Sequence, residues 1–441
     1  MPSGKKRLST LFFPIFFETL CTILTGAVDT LMLSSEGDQA VGAVGTANTY
    51  ISIFLILFSI ISSGMLAVMT QYIGAKRPGV AQQALRLGLL FNLATGIVIT
   101  SILWFGADFI LNTVGIAGGL MIPAKTYLQT VGLFCICNAL TPIFSGYLRA
   151  FGHTAPTMAG TLLANAVNVG LNALFLFVLD WGVFGVALAT GVSRLVHLMW
   201  VWLVSRCRIR PLREPNPPEN REIFRKIIRV GFPAAMETSL YNLAITLVIS
   251  MLNHMDDTGT QATARAYAVQ ISNFSLSAGL ALAQANAIIV GWRIGGGEYT
   301  ECDRDTRKTA RIGILLGVGT AGFFALFSAP ILRLFTDDPQ MVQLVGTLLV
   351  VDIFLEIGRM TNLIFGHALK TSGDATYPMV IAVVFAFLCA AGGTWYFGVS
   401  MGWLAVGAYV ALAMDECVRA LFMFLRWNQG QWKKKNLLTV K

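Results

Sequence analysis

The chain is written in long apolar stretches separated by short polar breaks, at roughly residues 11–34, 44–73, 84–106, 122–146, 155–179, 182–205, 228–253, 262–292, 307–330, 342–367, 376–397 and 401–426. A helix crosses a hydrocarbon layer of about 30 Å with about 20 residues at 1.5 Å apiece, so each stretch is long enough, the longer ones with tilt. The pattern predicts an all-α membrane protein of about twelve transmembrane helices. The first stretch follows Lys5, Lys6 and Arg7 and could pass for a secretion signal. It is too long for one, contains Glu18 and Asp29, and has no small-residue cleavage site at its end, so it reads as a retained helix.

The longest polar connector runs from Ser205 to Arg229, contains Pro211, Pro215, Pro217 and Pro218, and lies near the middle of the chain. The stretches on its two sides repeat. Phe13-Pro14-x-x-x-Glu18-Thr19 returns as Phe232-Pro233-x-x-x-Glu237-Thr238. The run from Gly146 to Met158 resembles that from Gly366 to Met379, and Gly185 to Ala189 resembles Gly407 to Ala411, at an offset of about 220 residues. The expected division is a six-helix lobe over 1–205, a cytoplasmic linker over 206–227, a second six-helix lobe over 228–430 and a basic tail over 431–441. An even number of spans per repeat inserts both lobes the same way up, a parallel repeat about an axis along the membrane normal. Two such lobes enclose a V-shaped central cleft near mid-membrane, the usual place for a substrate.

Composition fits lipid as the solvent. Hydrophobic residues make up 55% and charged residues 12%, about half the charge of an ordinary soluble domain. The net charge of +9 does not point to nucleic acid, because the basic residues sit in short loops and tails. On the side of the N-terminus lie Lys5–Arg7, Lys76, Arg77, Arg86, Arg149, the cations of the connector, Arg293 with Arg304–Arg311, Lys370 and the tail, 26 of the 32 Lys and Arg. The other side carries mostly acids: Glu36, Asp38, Asp108, Asp180, Asp256, Asp257, Asp337 and Asp338. Basic loops resist translocation, so both termini are expected in the cytoplasm of a cell whose plasma (bacterial inner) membrane holds the chain. The seven Cys are odd in number and scattered, with no disulfide framework and no metal spacing.

Several segments together resemble the multidrug and toxic compound extrusion (MATE) family over nearly the whole chain. They are Val28-Asp29-Thr30, Val41-Gly42-Ala43-Val44-Gly45, Leu148-Arg149-x-x-Gly152-x-x-x-Pro156, Asn168-x-x-Leu171-Asn172 and Gly182 to Thr190. The resemblance implies a two-lobed secondary antiporter that exchanges H+ or Na+ for small organic, often cationic or amphipathic, compounds. It implies no cofactor beyond the coupling ion.

Within the spans the ionisable residues are the candidates, because each is costly in lipid and normally faces water or a partner. Glu18, Thr22, Thr25 and Asp29 are spaced 4, 3 and 4, one helix face. Asp29 lies about 27 Å along from Leu11, in the outer half. Read as functional, it carries the proton or cation; the competing reading is an interfacial acid at the outer mouth. The corresponding position in the second half is Val248, whereas Glu18 corresponds to Glu237. That symmetry favours a structural role for the two glutamates, pairing with Arg or closing an inner gate. Asn165, Asn168 and Asn172 also share a face and form with Thr25 a candidate cavity network around Asp29; helix–helix glue is the alternative. The resemblance places Asn168 and Asn172 at positions that often read Asn and Asp, so the missing acid at Asn172 puts a two-acid site in doubt. Asp352 and Glu356 are possible second-lobe acids, but Arg359 at the next turn favours an internal salt bridge over a vacant cation site. Asp415, Glu416 and Arg419 repeat that pattern, and Arg194 and His197 are left without a role.

No nucleotide-binding G-x-x-x-x-G-K-[ST], no H-E-x-x-H and no G-x-S-x-G occurs, so the chain is read as a transporter and not an enzyme. Its expected partners are small organic substrates, the coupling ion and the bilayer, with no nucleic acid, and it is expected to act as a monomer. A flippase of lipid-linked precursors of related fold, a membrane-embedded enzyme and a sensor stand as alternatives.

Overall fold

The computed structural model describes residues 7–113, 118–210, 214–256, 258–333 and 336–438. Lys5, Lys6, Pro211, Asp257 and Lys441 lie outside the described residues, as does the Asp38 side chain. Among the described residues the secondary structure is helical, without strands. The chain divides into two compact units, Met1–Gly231 and Phe232–Lys441.

The first unit holds α1 (Leu8–Leu33), α2 (Asp38–Gly74), α3 (Pro78–Phe105), a short α4 (Ala107–Thr113), α5 (Gly118–Leu133), α6 (Cys135–Ala150), α7 (Thr154–Ala173) and α8 (Gly182–Arg208). α9 (Asn220–Asn253) begins in it and continues into the second. The second unit then holds α10 (Thr260–Gly295), α11 (Tyr299–Leu326), a short α12 (Ser328–Leu332), α13 (Pro339–Ser372), α14 (Thr376–Phe385) and α15 (Leu404–Asn428).

Ten helices among the described residues are long and apolar enough to cross a membrane, or eleven when α5 and α6 count as one span bent by 44°. The expected twelfth span, α15, has the length but carries Asp415, Glu416 and Arg419 in its middle. The fourth span is broken where the sequence looked continuous. At Phe134 the backbone leaves the helix (φ −91°, ψ 7°). A Cβ on Gly191 of α8 would lie 2.1 Å from the Phe134 ring, so the ring occupies space that only glycine leaves open.

The repeat is written into the backbone. Left-handed conformations recur at Gly37 and Gly259, Lys76 and Gly297, Gly152 and Gly373, Asp180 and Gly402, and Gly182 and Leu404. Each pair is separated by about 220 residues, the offset of the sequence repeat. π-helical turns end the corresponding spans, at Leu174–Val178 and at Thr394–Ser400.

Each unit has its own apolar core, around Ala43, Ala47, Phe58, Leu103 and Leu128 in the first and Val248, Ala268, Leu348 and Tyr409 in the second. In lipid, helices are held by close packing rather than by an apolar drive, and alanines at the crossings let backbones approach. Large apolar side chains also point outward, with Phe105 84% and Leu326 78% exposed, as a lipid solvent allows.

The Pro-rich connector is tied to the first unit. Arg77 pairs with Glu214 at 2.9 Å, Gln83 donates to the Pro218 carbonyl at 2.8 Å, and Lys226 donates to the Tyr72 hydroxyl at 3.0 Å.

Candidate functional site

α1 and α7 run side by side in the same direction, joined by a polar seam. At its start Pro14 cannot donate to the Thr10 carbonyl, and the Thr154 hydroxyl of α7 donates to that carbonyl instead at 3.4 Å. One level further, Arg149 pairs with Glu18 at 2.6 Å, and the Thr157 and Thr161 hydroxyls donate to the same carboxylate at 3.2 and 3.3 Å. The His197 ring nitrogen stands 3.5 Å from the Thr161 hydroxyl.

In the middle of the seam Asn165 donates to the Cys21 carbonyl at 3.2 Å, and the Thr25 hydroxyl donates to that same oxygen at 2.8 Å. Thr22 turns back onto the Glu18 carbonyl at 2.9 Å. These two threonines and Asn165 therefore spend their donors on the α1 backbone rather than on Asp29.

At the far end Asn172 donates to Asp29 Oδ1 at 2.9 Å. The Asn168 amide lies 2.6 and 3.2 Å from the two carboxylate oxygens, and it donates to both when its nitrogen is turned toward the ionised acid. Asn168 and Asn172 are buried, and Asp29 is half-buried. The buried Asn172 Oδ1 accepts no hydrogen bond among the described residues. Arg194 of α8 is within electrostatic reach of Asp29, Tyr127 and His197. Tyr127 in turn donates to Asn48 at 3.3 Å.

The second unit repeats one end of this arrangement and not the other. Lys370 pairs with Glu237 at 3.0 Å, in the positions that correspond to Arg149 and Glu18. Where Asp29 would recur stands Val248, fully buried in the apolar core. Residues 376–400, which correspond to α7 and its π-turn, contain no Asn, Asp or Glu.

The polar groups of this unit lie elsewhere, on α13 and α15. Ser272 donates to Asp352 at 2.7 Å, and Glu356 pairs with Arg359. Arg419 pairs with Asp415 at 2.6 Å and Glu416 at 2.8 Å, while Asn362 donates to Glu416 at 2.9 Å. Arg419 also lies 4.8 Å from the centroid of the Tyr241 ring.

A family model described as MatE matches residues 14–174 and, a second time, residues 233–395, the two halves just compared. The chain belongs to the MATE family. Over 98% of its length it is 30% identical to an uncharacterized transporter of Bacillus subtilis, YisQ, of which it covers 95%. It is 24% identical along 100% of its length to a Thermotoga maritima protein described as a probable multidrug resistance protein, NorM, again covering 95%. A solved outward-facing structure of a multidrug resistance MATE transporter of the MOP superfamily has the same fold, with a TM-score of 0.86 at 20% identity over 98% of this chain and 96% of that one. This MATE chain is thus a multi-pass membrane transporter and not an enzyme.

Sequence reasoning missed part of this MATE chain's seam. Thr157 and Thr161 continue the Asn165–Asn168–Asn172 stripe at spacings of 4 and 4, so extending the stripe by two turns would have found them. Ser272 and Asn362 carry no such signal, since each meets its acid from another helix.

Proposed function

We propose that this MATE-family transporter is a secondary antiporter that exports small organic compounds, often cationic or amphipathic, in exchange for H+, with Asp29 as the group that takes up and releases the proton. One observation carries the reading. Asp29 is a lone carboxylate in a membrane helix, with no ion pair among the described residues, held by two buried amides. An acid in lipid that is bonded by neutral amides, with the Arg194 cation within electrostatic reach but not in an ion pair with it, is free to exchange a proton as a locked salt bridge is not. The second half dispenses with it at Val248, which supports the same view.

H+ rather than Na+ is the coupling ion of this proposal: Asn172 presents nitrogen to the ionised Asp29, Asn168 does so once its amide is turned to match, and an amide N–H stabilises a carboxylate but is no ligand for a metal ion, which needs oxygen donors. A proton added to Asp29 creates an O–H donor, and the unused Oδ1 of Asn172 is an acceptor for it after rotation of that amide. Protonation then breaks one hydrogen-bond pattern and makes another, which biases a two-state transporter as far as the two patterns differ in energy.

The remaining expectations form part of the same proposal: both termini on the cytoplasmic side of a bacterial inner membrane, a monomer, and lobes joined at residues 206–227. Relatives described as multidrug resistance proteins support an organic substrate. The test is uptake or efflux of a panel of organic cations in proteoliposomes, with proton and sodium gradients imposed separately. Transport driven by the proton gradient alone and lost in Asp29→Asn is the expected result. Transport driven only by sodium, or unchanged in Asp29→Asn, would overturn it.

A further inference from the structure

In the first unit α3, α6 and α8 enclose an apolar groove of about 380 Å³, lined by Leu89, Leu93, Leu140, Phe144, Met199 and Trp202. It is open to the side, and Met199 is 58% and Trp202 43% exposed. Its chemistry is that of a hydrocarbon chain: no charged side chain lines it.

Two cations stand at one mouth of the groove. On α3, Arg86 precedes Leu89, Leu90 and Leu93 by three, four and seven residues, so it shares their face one turn nearer the helix start. On α8, Arg206 follows Trp202 by four residues, about 6 Å along the axis. Its guanidinium folds back over the Trp202 ring, 5.5 Å from the centroid. The start of α3 and the end of α8 lie at the same end of the unit, because Arg77, just before α3, bonds Glu214 and Asn216, just after α8. Both arginines are exposed, and among the described residues neither makes an ion pair. Their neighbour Arg77 has its acid in Glu214.

We infer that this groove is a binding site for an anionic phospholipid, with one acyl chain lying along α3 and α8 and the phosphate held between Arg86 and Arg206. An acyl chain alone would bind any lipid; the two cations at headgroup depth select a net negative one, as basic pockets between transmembrane helices do. Guanidinium suits phosphate because it donates in a fork. The lipid belongs to the leaflet on the N-terminal side of the protein. The site is separate from the α1–α7 seam and does not depend on the ion that drives transport.

Native mass spectrometry of the full chain, extracted and exposed to equal amounts of phosphatidylglycerol and phosphatidylcholine, tests this. The wild-type protein is expected to retain phosphatidylglycerol at least tenfold over phosphatidylcholine. Arg86→Gln with Arg206→Gln is expected to lose the preference, while Arg86→Lys with Arg206→Lys keeps most of it. Met199→Trp, which fills the groove without touching charge, is expected to displace the phosphatidylglycerol as well. Equal retention of the two lipids by the wild type, or an undiminished preference in either the double Gln variant or Met199→Trp, would refute the site.

Discussion

Arg149 holds Glu18 at 2.6 Å in the first unit, and their counterparts Lys370 and Glu237 hold each other at 3.0 Å in the second. The duplicated pair ties the helix that opens each half to the end of a later one. Both acids stand a turn after a helix-interior proline, where the backbone has lost a hydrogen bond. A feature kept in both halves, at the same place, is expected to serve the architecture, whereas Asp29, present in one half only, is the group proposed for the transport cycle.

Glu18→Gln is therefore expected to act on stability, lowering it by roughly 3 kcal/mol, because it removes the anionic partner of a largely buried Arg149. The thermal midpoint of the purified protein measures this. The fraction that remains folded should still respond to a proton gradient, so a stable but uncoupled Glu18→Gln protein contradicts the assignment.

Asp29→Asn should do the reverse. Asp29 has no ion pair to lose among the described residues, and the amide keeps shape and hydrogen-bonding capacity. The thermal midpoint should stay within a few degrees of wild type while proton-driven efflux falls to background in vesicles with matched protein content.

The amides and Asp29 should be energetically coupled. A hydrogen bond to a charged group contributes about 1.5–3 kcal/mol, so a double-mutant cycle of Asp29→Ala and Asn172→Ala, each of which removes the bond, should give a stability coupling in that range. Additive effects would show that Asn172 does not serve Asp29.

In the second unit, Glu356→Gln removes the acid paired with the largely buried Arg359 and leaves it only the electrostatic reach of Asp352 and Glu416. A loss of about 3–5 kcal/mol is expected, read as reduced folded yield and a lower thermal midpoint. Glu356→Gln with Arg359→Met, which removes both charges, should recover much of it.

Gly191→Ala places a methyl 2.1 Å from the Phe134 ring and should destabilise by about 1–3 kcal/mol through overpacking. Adding Phe134→Leu should relieve the clash; persistent destabilisation in the double variant would show that the ring is not its cause.

Much of this was legible in the sequence. Span length, the charge of loops and the repeated Phe-Pro-x-x-x-Glu-Thr need only local periodicity and transfer cost, which act on each segment separately. Asp29 stood out for the same reason, as an acid in a stretch where each acid is expensive. The seam was only half readable: the face of α7 is visible as an Asn stripe, but nothing in it says that Asn165 stops at the Cys21 carbonyl while Asn168 reaches Asp29.

The amino-acid order by itself determined that this is a helical, duplicated membrane protein with one unmatched acid in its first span, because hydrophobic length and residue spacing are properties of the chain alone. Only the tertiary structure decided which acids are neutralised. Glu18 and Asp29 sit on one face of α1 and look alike in the sequence, yet one meets Arg149 and the other two amides, since their partners come from helices more than a hundred residues away. It also decided that the fourth span breaks at Phe134, whose ring fills space beside Gly191 of α8, and space between helices is not written in either helix.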